Sequence, residues 1–141
     1  MTDAPFISTF IAVGLIPVAF FYVHAFQSGR KQLSFHKTSG SLAILWDVSM
    51  SLGYMMYRIF GGEVEGASLE ATGLMRLYYI IHGIFGLLIV VFELIMLVIG
   101  ILAYQRKLEN KWHNQLSLPL FIAWWIAFLS GEISYILHYV L

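Results

Sequence analysis

The chain has 141 residues, 60% of them hydrophobic and only 11% charged, with a mean hydropathy of +0.80 and a formal net charge of zero. No ordinary water-soluble domain of this size has that composition, so the sequence reads as an integral membrane protein. Eight scattered Lys and Arg residues exclude a nucleic-acid footprint, and the lack of cysteine excludes disulfides, cysteine-ligated iron–sulfur clusters and covalently attached c-type haem.

Crossing a hydrocarbon core of about 30 Å takes about 20 helical residues. Four stretches are long enough, near residues 4 to 26, 38 to 60, 77 to 104 and 116 to 141. The first carries Asp3 and no basic residue at its start, then stays apolar, so it reads as an anchor rather than a cleaved signal. It ends near His24, and the connection that follows holds Arg30, Lys31 and Lys37.

The second stretch carries His36, Asp47 and Arg58, spaced by eleven residues. Eleven residues at about 100° each leave only about 20° of rotation, so the three line one helix face at intervals of about 16 Å. The connection after it is acidic, with Glu63, Glu65 and Glu70 between Arg58 and Arg76. On the third stretch His82 and Glu93 repeat the same spacing. Arg106, Lys107 and Lys111 follow, and the fourth stretch contains His113, Glu132 and His138.

The connections are too short to be domains. The expected architecture is therefore a single all-α domain, an antiparallel bundle of four transmembrane helices. Both basic connections belong in the cytoplasm by the positive-inside rule, which leaves both termini outside. Tyr78, Tyr79, Tyr104, Trp112 and Tyr139 suit interfacial belts. In this arrangement the second and fourth helices run parallel, so His36 and His113 start at the same surface and can face each other at one depth.

The histidines sort into two layers. His24, His36 and His113 lie on the cytoplasmic side, and His82 and His138 a few residues inside the outer one. Bis-histidine b-type haem needs imidazoles from two helices at matched height, small residues beside the macrocycle and cations near the propionates. Gly40 and Ala43 follow His36 on its face, Gly83 and Gly86 follow His82, and Gly131 precedes His138. Lys37 and Lys111 flank the inner layer, and Arg58 and Arg76 the outer one. The sequence thus has candidates for one or two haems, and the imidazoles of His36, His82 and His113 suit copper as well. The competing reading is structural: end-of-helix histidines are commonly solvated, and glycines let membrane helices pack closely.

Asp47, Glu93 and Glu132 lie nearest mid-membrane on three helices. An acid at that depth is expected to be neutral unless paired, and such residues are usually turned inward and used. They form a candidate proton relay or a polar core bonded to Ser49, Ser51, Ser130, Tyr54 or indole groups. Calcium or magnesium would want six or more oxygens, more than these acids supply.

Taken together, His36-Lys37 with residues 54 to 58, residues 79 to 82, and Trp112-His113 with Trp124 and Tyr135 resemble a prokaryotic four-helix membrane family known as domain of unknown function 420. The resemblance covers about residues 33 to 137. It implies a multi-pass protein of a prokaryotic cell membrane, with a role in maturation of haem–copper oxidases. That family typically has a histidine where this chain has Arg58, so a second complete histidine pair would need His138 instead. The segments that begin at His36 and His82, each with glycine four residues on, are also similar to helices of transmembrane b-type cytochromes.

The leading expectation is a small b-type cytochrome or haem-handling subunit passing electrons in a respiratory-type membrane complex, with lipid and other membrane subunits as partners. His36 with His113, and His82 with His138, would be the ligands. The alternatives are a cofactorless accessory or assembly subunit, and a proton or ion carrier.

Overall fold

A computed structural model describes residues 5 to 62 and 72 to 140. The acidic connection with Glu63, Glu65 and Glu70, and the expected helix ends at residues 4 and 141, lie outside the described residues. Four helices follow in order: α1 (Phe6–Arg30), α2 (Phe35–Ile59), α3 (Gly73–Tyr104) and α4 (Asn110–Tyr135), and a π-helical turn, Ile136–Val140, extends the last. No strand occurs among the described residues. Three of the helices, α1, α3 and α4 with its extension, are long and apolar enough to cross a membrane. The remaining helix, α2, has the same 25-residue length as α1.

Several boundaries differ from those read from hydropathy. The first helix runs on to Arg30, α2 begins at Phe35, α3 at Gly73 and α4 at Asn110. Hydropathy marks only the apolar middle of a helix, whereas backbone hydrogen bonding continues through polar residues until a cap stops it.

One device closes three of the helices. At the end of α1, Gln32 N–H donates to Gly29 and Leu33 N–H to Ser28, with Gln32 in the left-handed region at φ 54°. The end of α3 repeats this with Arg106 and Lys107, and that of α2 with Gly61 and Gly62. This pairing satisfies last-turn carbonyls and turns the chain sharply. It brings the C-terminal ends of α1 and α3 beside the starts of α2 and α4.

Around the bundle α1 packs on α2, α2 on α3, α3 on α4 and α4 on α1. The two diagonals are spanned only by side chains reaching across the centre. The core is built on Val18, Tyr22, Ala43, Ile44, Val90, Met96, Leu120 and Trp124. Trp124 is 1% exposed and stacks on Tyr22, with ring centroids 4.3 Å apart, and on Phe128 at 5.0 Å. The perimeter is apolar: Phe20, Leu45, Leu88, Val98 and Ile126 are all exposed. Against lipid tails such residues gain nothing from being buried, so helix association rests on close packing and on polar contacts across the interior.

Candidate functional site

The eleven-residue stripes turn inward. On α2, Asp47 is buried and His36 and Arg58 half-buried; on α3, Glu93 is fully buried and His82 half-buried. The polar groups collect at three levels.

At the basic end His36 and His113 meet across the α2–α4 diagonal. Their Nε2 atoms are 3.3 Å apart, with ring centroids at 5.5 Å and planes at 75°. The centroid spacing exceeds the nitrogen spacing by about one ring diameter, so the imidazoles point head to head. His36 Nδ1 lies 2.7 Å from the Ala25 carbonyl, which can only accept. Nδ1 therefore carries the proton and Nε2 presents its lone pair to His113. His113 Nδ1 is buried without a partner. Glycines seat both rings: a methyl group at Gly29 would fall 2.8 Å from His36 Cε1, and one at Gly100 3.4 Å from His113 Cε1.

His24 does not join this layer. It is exposed on the far side of α1, stacked on Phe20 at 6.3 Å. Lys37 lies over the Tyr104 ring at 3.9 Å, and Lys111 pairs with Glu109 at 2.8 Å at the start of α4.

At the middle level Tyr22 O–H donates to Glu93 Oε1 across the α1–α3 diagonal, whereas Glu93 Oε2 has no hydrogen-bond partner. Asp47 faces Glu93, with the Trp124 indole and the Ser51 hydroxyl beside it. All four helices thus supply one member of a polar cluster with Glu93 0% and Asp47 5% exposed.

The third level is a cavity of about 260 Å³ that runs from the end opposite the basic connections down to Asp47. His82, Gly86, Glu132 and His138 line it, together with Tyr54 and Tyr79. Ser130 donates to the Ala127 carbonyl, so it accepts from His82 Nδ1–H at 2.8 Å and leaves Nε2 of His82 with its lone pair. The Tyr79 hydroxyl occupies the edge of the His138 ring, 2.7 Å from Nδ1. No hydrogen bond or ring contact among the described residues joins His82 to His138. Glu132 stays in the cavity wall, apart from the Asp47–Glu93 pair.

The residues expected around a cofactor divide accordingly. A methyl group at Gly40 would lie 3.8 Å from Ala25 Cβ, so this glycine serves α1–α2 packing, whereas Gly86 opens onto the cavity. Arg58 turns to the Gly62 carbonyl at 3.5 Å, and Arg76 is exposed at the start of α3. Tyr22 and the Ala25 carbonyl are site members that a search for histidines, acids and bases passes over, and Ser130, expected beside the acids, bonds to His82 instead.

A porphyrin does not fit this arrangement. Two metal–imidazole bonds of about 2.0 Å in line set axial nitrogens about 4 Å apart, with the macrocycle between the rings. The His36–His113 contact at 3.3 Å closes that gap. The cavity at the other end, at about 260 Å³, is below the range of about 300–1,000 Å³ that drug-sized ligands take, and a porphyrin is larger than most of those. The nitrogen separation, though not the head-to-head aim of the rings, is the one a single ion would set. Two imidazole nitrogens on one tetrahedral centre, with bonds of about 2.0 to 2.1 Å, lie about 3.3 Å apart. Among the described residues no group of three or more His, Asp or Glu is placed to hold a metal. No family model, no curated protein and no solved structure matches the chain.

Proposed function

We propose that the chain is a four-span membrane protein that handles a first-row metal ion, copper or zinc, at its basic end, as an accessory subunit in the assembly of a larger membrane complex. The observation that carries this is the head-to-head His36–His113 pair at 3.3 Å, with His36 Nδ1 tied to the Ala25 carbonyl. Metal-bound histidine commonly donates its second ring N–H to a backbone carbonyl or carboxylate, which orients the ring and fixes its tautomer. Imidazole suits both copper and zinc. Structural zinc sites close the shell with four protein ligands, whereas two leave positions open for water or for a donor or acceptor chain. An open shell suits an ion in transit.

The resemblance to the oxidase-maturation family points the same way, with a bacterial or archaeal cell membrane as the setting. In this reading α2 is the fourth crossing, its polar residues turned inward and Leu42, Leu45 and Met56 outward. The basic connections face the cytoplasm. A haem-carrying electron-transfer subunit would need the rings to part by about 0.7 Å and the helices to open a slot.

A second reading has its own support. The 3.3 Å separation also suits His113 Nε2–H donating to His36 Nε2, a clasp that would fix helix packing without any ion. Metal titration of the detergent-purified protein against a chromophoric chelator decides between them, with an absorption spectrum recorded after haem is supplied. The expected result is one ion bound per chain, lost in His36→Ala and in His113→Ala and kept in His82→Ala. Absence of binding by every metal tried would leave the clasp, and a Soret band dependent on His36 would restore the porphyrin.

Gly29→Ala is a finer check. Its methyl group, 2.8 Å from His36 Cε1 and Nδ1, must displace the ring from the Ala25 carbonyl. Metal affinity is expected to fall by about tenfold to a hundredfold, the usual effect of losing an outer-shell partner, with helical content by circular dichroism unchanged.

A further inference from the structure

The acid pair at mid-bundle has no task in metal handling at the basic end, and its surroundings give it one. Glu93 is 0% exposed, accepts from Tyr22 on one oxygen, has the Asp47 carboxyl within hydrogen-bonding reach, and leaves its other oxygen without a donor among the described residues. Asp47 is 5% exposed and has the Trp124 indole and Ser51 hydroxyl for company. No Lys, Arg or His pairs with either acid; the one ion pair among the described residues is Lys111–Glu109. Two neighbouring carboxylates in an apolar interior would each carry the desolvation penalty of an ion and repel one another, and groups so placed take up protons instead. The bare oxygen of Glu93 is where such a proton has room.

Access is one-sided. The cavity reaches Asp47 from the end opposite the basic connections and, at about 260 Å³, has room for several waters. Besides Asp47 its walls carry titratable groups from three elements: Tyr54 of α2, Tyr79 and His82 of α3, and Glu132, Tyr135, His138 and Tyr139 of α4 and its π-helical extension. Tyr22 is the titratable neighbour from α1. Toward the basic end Ala43, Ile44, Met96 and Leu120, each under 9% exposed, fill the space between the acids and the His36–His113 pair.

From these contacts we infer that Asp47 and Glu93 form a proton-loading site, filled and emptied through the cavity from the side opposite the basic connections. The reaction is a plain acid–base exchange: a hydronium ion in the cavity gives its proton to the pair and leaves as water, and hydroxide removes it. No electron moves.

Infrared difference spectroscopy of the protein in lipid, between acid and alkaline buffer, tests this directly. A protonated-carboxyl C=O band should appear in acid, shift in heavy water, and be lost in Glu93→Gln or Asp47→Asn. Labelling by a hydrophobic carbodiimide, mapped by mass spectrometry, should fall on the same two residues and fade as the pH rises. A bulky residue in the cavity wall, Gly86→Trp, should slow deuterium exchange of the band without removing it. A band absent from the wild-type protein, or one indifferent to both heavy water and pH, would overturn the proposal. So would a response to sodium at constant pH. The wild-type spectrum alone can refute it, so a variant that fails to fold does not protect it. Metal titration is independent of all these readouts.

Discussion

Trp124→Ala is expected to loosen the whole bundle, lowering its stability in detergent by about 3 kcal/mol. Trp124 is 1% exposed, stacks on Tyr22 of α1 and Phe128 of its own helix, and lies beside Asp47 of α2. In a soluble protein part of the cost of such a truncation is lost transfer energy. Lipid tails are as apolar as the core, so here the cost comes from the void and from the indole N–H that Asp47 loses. Unfolding by sodium dodecyl sulfate, followed by circular dichroism, measures it. The control is Trp112→Ala at the exposed start of α4, where a change within about 0.5 kcal/mol is expected. Similar losses for both would remove Trp124 from its central place.

The second large effect is expected to reverse sign with its partner. Tyr22→Phe deletes a donor to a fully buried carboxyl, and a buried polar group left bare costs about 1–3 kcal/mol. Adding Glu93→Met to Tyr22→Phe removes the group that was stranded, and should return most of the stability. The double variant is thus expected to be more stable than Tyr22→Phe alone, in the same denaturation assay. Simple additivity would mean that the two side chains do not act as a pair.

Much of this arrangement is legible in the sequence, for a geometric reason. An eleven-residue spacing nearly closes three helical turns, so it identifies the inward faces of α2 and α3 without any tertiary information. The short connections make α2 and α4 parallel, which is enough to bring His36 and His113 to one level. Other features escape because they depend on neighbours. His24 lies two positions from Tyr22, about 200° round α1, and so faces away from the interior. Glu132 is eight residues from Trp124, about 80° off its line, which keeps it in the cavity wall rather than beside Asp47. His138 falls in a π-turn, whose wider winding breaks the 3.6-residue register, and there it meets Tyr79. Tyr22 goes unnoticed because a tyrosine in an apolar helix looks like packing until an acid is found opposite it. Whether a plane or a single ion fits between two imidazoles turns on less than 1 Å, which no spacing rule carries.

The apolar layer formed by Ala43, Ile44, Met96 and Leu120 has an electrical consequence. Water filling the cavity would carry the potential of its own compartment to Asp47, so in an energised bilayer most of the voltage drop would fall across that layer. A charge stepping over it would do nearly the full electrical work, about 2.3 kcal/mol per 100 mV, within roughly three turns of helix. The layer would then act as the dielectric of a small capacitor, its plates tied to opposite compartments.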